Sequence, residues 1–223
     1  FTYAARGVFF FFLDDIGKYE TRDDAFDIHI QQILDLPMVD VEAIKAKNYR
    51  IVLDAVNSTG GIAIPMLLDK LGVETVKLYC DPTGHFPHNP EPLKEHLGDI
   101  CELVIKEKAD VGIVVDPDVD RLALIDEKGE MLRKKNTLVA VADYLLKNKN
   151  GVAISNLSSS RALRDVAKNH NSEYFASAVG EVNVVNLMKE KNAVIGGEGN
   201  GGIIYPEIQY GRDSLVGVAL FVT

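Results

Sequence analysis

Apolar positions follow two different spacings along the chain from residue 50 onwards. Short apolar runs indicate buried strands, and longer segments with an apolar residue every three or four positions indicate helices that bury one face. The predicted strands are 50–55, 74–79, 111–115, 122–126, 152–155, 173–177, 193–195 and 203–205. The predicted helices are 62–71, a long amphipathic helix that ends near 108, 137–147, 161–169 and 181–191. Strands that alternate with helices predict an α/β fold, with mixed, mostly parallel sheets and helices on their faces.

Two segments with the same order of elements are separated by a polar run at 147–151. We therefore predict two consecutive three-layer α/β domains of similar topology, 46–150 and 151–223, and the shared order suggests a duplicated domain. Residues 1–45 show no clear strand pattern and are predicted to form a connecting arm. The chain begins with Phe1 and ends on an apolar segment, so we expect it to be a piece of a longer protein.

The composition is that of a globular protein, with 47% hydrophobic and 26% charged residues. A net charge of -9 at pH 7 argues against nucleic-acid binding, which requires a basic surface. Cys80 and Cys101 are too few for a disulfide framework, so we expect buried, reduced thiols and a cytoplasmic location. The apolar run 8–13, with its four phenylalanines, is shorter than the roughly 20 residues that span a bilayer, and no membrane association is expected.

Three aspartates at alternate positions, Asp116, Asp118 and Asp120, follow the predicted strand 111–115. Carboxylates this close repel one another unless a cation compensates their charge, and hard divalent cations prefer such oxygen ligands. The sequence therefore predicts a divalent metal site. Arg121 adds a permanent positive charge that can bind a phosphate or carboxylate with two hydrogen bonds.

The same three aspartates are also compatible with a different role, or with none. One alternative is a solvated acidic turn, and another is a non-catalytic module that binds a divalent cation or a partner. A phosphatase with Asp116 as its nucleophile also places D-x-D after a strand, but here a further predicted strand follows at once. An EF-hand is disfavoured because its sixth position requires glycine, whereas this chain has Arg121.

A second loop, 197–202, reads G-E-G-N-G-G and satisfies the G-x-G-x-x-G pattern. A dinucleotide-binding loop must open a helix, but the predicted strand 203–205 follows here, which excludes that function. A hairpin turn is the simple structural alternative. Glu198 and Asn200, which lie between the glycines, offer an acceptor and an amide suited to sugar hydroxyls.

Several separate motifs occur in the order and spacing of the α-D-phosphohexomutases, which residues 45–223 therefore resemble. The motifs are D-A-V-N-S-T-G-G at 54–61, G-H-F-P-H-N-P-E-P at 84–92, D-P-D-V-D-R at 116–121, A-V-G at 178–180, G-E-G-N-G-G at 197–202 and G-R-D at 211–213. The resemblance implies an isomerase, a phosphoglucomutase/phosphomannomutase or a phosphoglucosamine mutase. Such an enzyme interconverts hexose 1-phosphate and 6-phosphate through a phosphoserine and a bisphosphate intermediate.

The same resemblance implies a protein of four domains and assigns roles to residues. Residues 46–150 would be the second, metal-binding domain, and 151–223 most of the third, sugar-binding domain. Arg121 would be the catalytic residue near the transferring phosphate. The implied Mg²⁺ ligands are Asp116, Asp118 and Asp120. The implied sugar-binding residues are Val179, Gly180, Glu198, Gly199 and Asn200. The implied partners are hexose phosphate, hexose bisphosphate, and the first and fourth domains.

The sequence also departs from the family pattern. Neither the serine loop nor the phosphate-clamping loop of the family is found, so we predict that this chain alone has no mutase activity. The serine cluster 158–160 is interpreted as a polar loop before a helix. Val119 stands where many relatives have glycine, a change that an ordinary backbone angle would tolerate. Gly202 stands where some relatives have histidine, so no general base is predicted.

Overall fold

The computed structural model describes residues 19–132 and 134–223, with only the backbone of Lys134. The phenylalanine run of 8–13 lies outside the described residues. The helices are α1 Ala25–Leu34, α2 Val41–Lys47, α3 Gly60–Lys70, α4 Gly98–Glu107, α5 Lys134–Asn148, α6 Ala162–Asn169, α7 Glu181–Lys191 and α8 Ser214–Val222. The strands are β1 Arg50–Asp54, β2 Glu74–Leu78, β3 Val111–Val115, β4 Leu122–Ile125, β5 Val152–Asn156, β6 Glu173–Ser177, β7 Ile195–Gly197 and β8 Ile203–Ile204.

The strands of the described residues form two four-stranded sheets with the same topology. The strand order is β2-β1-β3-β4 in the first sheet and β6-β5-β7-β8 in the second. In each sheet the first three strands are parallel, and the last strand is antiparallel to its neighbour. The predicted fold of two α/β domains with mixed, mostly parallel sheets is confirmed. The two domains are topological repeats, as the order of elements suggested.

The inner strands of the first sheet, β1 and β3, are covered on both faces, which explains their continuous apolar runs. Every residue of β3 is buried. Its side chains alternate between two clusters: Val114 packs in the cluster that contains Val104 of α4, and Ile113 and Val115 pack in the cluster that contains Leu67 of α3. Strands covered on both faces read as unbroken apolar runs because neither face meets water.

Helix α8 lies between the two domains. Every one of its residues except Phe221 is buried. It contacts α1, α3, α5 and β4, which precede residue 150, and β8 of the second sheet. The largest apolar cluster accordingly includes Leu53 of the first sheet, Ile195 of the second sheet and Leu220 of α8. The two sheets therefore share a continuous core.

Some predicted elements differ from the observed ones. Part of the predicted arm forms α1 and α2, and Ile30 and Ile33 of α1 are fully buried in the main core. The predicted helix ending near 108 is interrupted, because a short 3₁₀-helix, Lys94–His96, precedes α4. The domain limits near residues 45 and 150 stay predictions.

Two further sequence expectations concern the thiols and the membrane. Cys80 and Cys101 are free thiols, and burial raises the pKa of Cys80 to about 11. None of the helices within 19–132 and 134–223 combines the length and apolar character needed to cross a bilayer.

Candidate functional site

The three aspartates lie in the connection between β3 and β4, which we call the metal loop (residues 116–121). A carboxylate oxygen of Asp116, of Asp118 and of Asp120 lie within 4.8 Å of one another. Asp116 is buried, Asp120 is partly buried and Asp118 is exposed. The cluster can therefore offer three oxygen ligands to one cation that enters from the exposed side.

The backbone of the metal loop folds around Asp116. Its Oδ1 accepts hydrogen bonds from the amides of Asp120 and Arg121 at 3.1 and 3.0 Å. Its Oδ2 lies 3.4 Å from the Nε of Arg121. These contacts fix the carboxylate that begins the loop, and they draw the two later residues back towards it.

The D-A-V-N-S-T-G-G motif (54–61) forms hydrogen bonds with the backbone of the metal loop. The hydroxyls of Ser58 and Thr59, which directly precede α3, both donate hydrogen bonds to the carbonyl of Pro117 at 3.0 Å. The carbonyl of Val119 accepts a hydrogen bond from the amide of Ser214, at the start of α8. The loop is therefore held by both domains.

The backbone at Val119 is not ordinary, which corrects the expectation from sequence. Val119 has a φ of 60°, in the left-handed region. A β-branched residue is strained there, whereas glycine is not. The valine side chain is 9% exposed and packs in the main core, which offsets part of that cost.

Charge in the metal loop is incompletely compensated by the described residues. Burial, with the charge of Asp118 as a further cause, raises the pKa of Asp116, and burial and the charge of Asp116 raise the pKa of Asp120 to about 6. The Oδ1 of Asp120 is buried and accepts no hydrogen bond from any described residue. A buried carboxylate oxygen without a donor is costly, and a bound cation would satisfy it. The residues present therefore fit a divalent metal ion.

The G-E-G-N-G-G segment lies in the connection between β7 and β8, which we call the sugar loop (residues 197–202). Glu198 is buried, and its Oε1 accepts a hydrogen bond from the Nδ2 of Asn156 at 2.7 Å. Its Oε2 accepts from Asn200 at 3.4 Å, and Asn200 in turn accepts from the amide of Gly202. The loop is a hairpin, as the strand that follows it predicted.

The other predicted sugar-binding residues lie before α7 and within the sugar loop itself. Val179 is 63% exposed, and Gly180, with a φ of 112°, immediately precedes α7. Gly199 packs closely on the backbone of Ser158. The hydroxyls of Ser158 and Ser159 donate to Asn156, which holds Glu198, so the serine cluster supports the sugar loop.

Arg212 is the residue of this region to which the sequence assigned no role. Its Nη2 lies 2.5 Å from the Oδ2 of Asp120, and its Nη1 donates to the Oε2 of Glu198 at 3.1 Å. Its amide donates to Glu181, and its Nε lies 3.3 Å from the same carboxylate. The G-R-D motif was the only signal in the sequence, because residues 120, 198 and 212 meet only after folding.

A cavity of about 220 Å³ opens beside the metal loop. Asp118, Thr59, His29 and Arg212 contribute to its lining. A second cavity, of about 260 Å³, is lined in part by Asp110, at the end of β3 opposite to the aspartates. The metal loop therefore borders a cavity lined by acidic and basic side chains.

Comparison with known proteins agrees with this arrangement. The family model described as phosphoglucomutase/phosphomannomutase, alpha/beta/alpha domain II, matches residues 27–129, and the model for domain III matches 134–223. The chain belongs to the phosphoglucomutase/phosphomannomutase family. Its matched regions are the two middle domains of the α-D-phosphohexomutase superfamily.

Relatives of this family are similar over nearly the whole chain. A phosphoglucomutase/phosphomannomutase of Thermococcus kodakarensis is 36% identical over 211 residues, and a probable phosphoglucosamine mutase of Methanopyrus kandleri is 31% identical over 212. Each comparison covers 94% of this chain and 46% of the relative. The chain thus spans about half the length of these relatives.

A solved family structure has the same fold. A phosphoglucomutase/phosphomannomutase family protein of Burkholderia thailandensis matches with a TM-score of 0.80 and 28% identity. The match covers 92% of this chain and 45% of that protein. The order and packing of the two middle domains are therefore those of the family.

Proposed function

We propose that this chain supplies the metal-binding and sugar-binding domains of a phosphohexomutase. The parent enzyme interconverts hexose 1-phosphate and 6-phosphate through a phosphoserine and a bisphosphate intermediate. The main observation that supports this proposal is that one residue links the two loops. The metal loop and the sugar loop occupy the same connection of two similar sheets, and the guanidinium of Arg212 contacts both Asp120 and Glu198.

The metal loop is proposed to hold Mg²⁺ through Asp116, Asp118 and Asp120. Bound Mg²⁺ would neutralise charge on the phosphate during transfer. Asp116 orders the loop through its two backbone contacts, and the exposed Asp118 leaves room for a ligand to approach. Oxygen ligands in this number suit a hard cation that keeps some of its water.

Arg121 is proposed to bind the phosphate that is transferred. Its side chain is 33% exposed, and its Nε lies within 3.7 Å of Asp116 and Asp120. A guanidinium presents several donors in a plane, so those not directed at the aspartates can bind phosphate oxygens. Phosphate transfer in such a site depends on positioning and charge compensation.

The sugar loop is proposed to select the substrate by its hydroxyls. Glu198 keeps acceptor capacity at Oε1, because a carboxylate oxygen has two lone pairs and Asn156 uses only one. Asn200, Gly199, Val179 and Gly180 would complete the sugar-binding surface. Glucose, mannose and glucosamine phosphates all present hydroxyls that this loop can bind.

Two other functions make different predictions. An aspartyl phosphatase would use Asp116 as nucleophile, but Asp116 is 5% exposed and its Oδ1 already accepts two backbone hydrogen bonds. Beryllofluoride would bind Asp116 of a phosphatase and leave a mutase domain unlabelled. A non-catalytic module would bind a divalent cation but have no affinity for sugar phosphates.

Calorimetry on the 223-residue chain distinguishes these functions. We expect Mg²⁺ to bind, and glucose 1,6-bisphosphate to bind more tightly when Mg²⁺ is present. Asp118→Asn should weaken Mg²⁺ binding by about tenfold or more, because binding to a carboxylate depends on its charge. Glu127→Gln, an exposed carboxylate in the turn after β4, is the matched control and should not change it.

Three outcomes would contradict the proposal. Mg²⁺ binding that does not change in Asp118→Asn would contradict the assignment of the metal site to the three aspartates. Metal binding without affinity for sugar phosphates would favour the non-catalytic module. Sustained formation of glucose 6-phosphate from glucose 1-phosphate by this chain alone would show that the donor of the phosphoryl group lies within it.

A further inference from the structure

Arg212 joins the metal loop to the sugar loop through separate nitrogens of one rigid group. Its Nη2 lies 2.5 Å from Asp120 and its Nη1 lies 3.1 Å from Glu198. The guanidinium is planar and its donors keep a fixed geometry. A shift of one carboxylate that turns the guanidinium therefore also changes the contact with the other.

Asp120 faces Arg212 with one oxygen and the aspartate cluster with the other. Its Oδ2 contacts Arg212, whereas its Oδ1 lies 3.7 Å from the Nε of Arg121, which itself lies 3.4 Å from Asp116. The same Oδ1 is buried and accepts no hydrogen bond from the described residues. Arg212 therefore orients this carboxylate so that its unsatisfied oxygen faces the cluster.

The position of Arg212 is itself built into the fold. Its side chain is only 14% exposed. It passes so close to Gly202 that a Cβ at that position would lie 2.3 Å from the Cδ of Arg212. Glu181, the first residue of α7, binds the amide of Arg212 and lies beside its Nε. The absence of a side chain at 202 and the carboxylate at 181 together direct the guanidinium between the loops.

A cation on the metal loop would change the balance of charges around Arg212. One guanidinium here contacts three carboxylates, those of Asp120, Glu198 and Glu181. A divalent cation bound at Asp120 reduces the attraction of that carboxylate for Arg212, since the two positive charges share it. The contact of Arg212 with Glu198 then strengthens relative to its contact with Asp120.

We infer that Arg212 is a positioning residue that couples occupancy of the metal loop to the conformation of the sugar loop. The inference rests on the proposed function in one respect, namely that the aspartates bind a divalent cation. Coupling between two sites is reciprocal. A ligand that engages Glu198 therefore changes the affinity of the metal loop for its cation by the same factor.

Nuclear magnetic resonance on the full 223-residue chain tests the coupling with Mg²⁺ alone as the probe. In the unmodified chain, backbone amide signals of 116–121 and of 197–202 should shift with the same dependence on Mg²⁺ concentration. In Arg212→Gln the 116–121 signals should still shift, while the Mg²⁺-dependent shift of the 197–202 signals should be largely lost. Arg164→Gln, which removes an exposed arginine of α6, is the control and should leave both shifts unchanged.

Two further variants keep the test decisive if Arg212→Gln does not fold. Glu198→Gln keeps the size of the side chain but removes the charge that Arg212 contacts, so the shift of 197–202 should again fall while that of 116–121 persists. Arg212→Lys keeps the charge without the planar group and should transmit only part of the shift.

The possible results separate the inference from the proposed function. Shifts of 197–202 that persist in Arg212→Gln, or in Glu198→Gln if Arg212→Gln does not fold, would overturn the inference, as would shifts confined to 116–121 in the unmodified chain. Absence of any Mg²⁺-dependent shift in 116–121 would overturn the proposed metal site and the coupling with it.

Discussion

The backbone amide of Leu122 donates a hydrogen bond to the carbonyl of Gly201 at 3.2 Å, so the first residue of β4, directly after the metal loop, contacts the sugar loop. Gly201 has a φ of 96°, and a Cβ at this position would lie 2.3 Å from the carbonyl oxygen of Leu122. The three nearest atoms all belong to the backbone of Leu122, so no flexible side chain is there to move away. Glycine is therefore required at 201 by both conformation and space.

Gly201→Ala should destabilise the chain by about 3 kcal/mol, the sum of left-handed strain and overpacking. Gly84→Ala is the matched control, because Gly84 also has a positive φ of 75° but a Cβ added there would meet no atom within 4 Å. That control should cost only about 1–2 kcal/mol. Denaturant unfolding measures both, and equal losses would show that the contact with Leu122 contributes nothing.

The left-handed backbone at Val119 reverses the usual order of alanine and glycine. Val119→Gly should be more stable than Val119→Ala by about 1 kcal/mol, because only glycine is free of strain at this φ. At Val141, buried within α5, alanine should instead be more stable than glycine by about 1 kcal/mol. Thermal or denaturant unfolding of the four variants checks the prediction, which fails if both positions favour alanine.

Metal affinity should depend on pH through Asp120. Burial, and next the charge of Asp116, raise the pKa of this carboxyl to about 6. Since the metal binds the ionised form, a proton competes with it below that value, and affinity should fall by about tenfold per pH unit for each proton displaced. Calorimetry with Mg²⁺ between about pH 5 and 8 measures this.

The variant Asp120→Asn serves as the control for the pH dependence. It should bind Mg²⁺ more weakly at neutral pH and lose less affinity as the pH falls. An unmodified chain whose affinity is constant over this range would contradict the raised pKa of Asp120.

The pair His29–Asp213 should contribute stability that depends on pH in the opposite sense. The hydrogen bond between the His29 imidazole and the Asp213 carboxylate, 2.7 Å long, raises the pKa of His29 above 6.5. The folded state therefore holds the proton more tightly than the unfolded state, so the stabilisation is complete below about pH 6.5 and is lost as the pH rises through the folded pKa.

Comparing the chain with His29→Gln checks this sign. The difference in melting temperature should be larger near pH 6 than near pH 8. His85, an exposed histidine in the loop after β2, provides the control variant His85→Gln, which also removes an imidazole but leaves the His29–Asp213 pair intact. A difference for His29→Gln that grows with pH would contradict the assignment.

Local features of the fold were predictable from the sequence, whereas contacts between distant segments were not. Residues 111–115 read as a buried strand because both faces of β3 are covered, and the aspartates after it converge because one short hairpin carries all three. The role of Arg212 depends on partners 92 and 14 residues away along the chain, at Asp120 and Glu198. A local sequence pattern cannot predict contacts between residues this far apart along the chain.

The left-handed backbone of Val119 was also beyond prediction from local pattern. Valine disfavours that conformation, and packing of its side chain in the core together with the bond from Ser214 imposes it. Similarly, the pattern before Lys108 suits one helix, but the observed chain turns at Leu97, which is itself buried in a tertiary cluster.

Helix α8 has a consequence for how the chain melts. Because its residues pack on the first sheet and the second sheet at once, neither half can lose its structure without exposing apolar surface of the other. Domains that share a large apolar interface do not move or unfold independently of each other. Heating should therefore produce a single calorimetric peak. The β3–β4 and β7–β8 hairpins should unfold in the same transition.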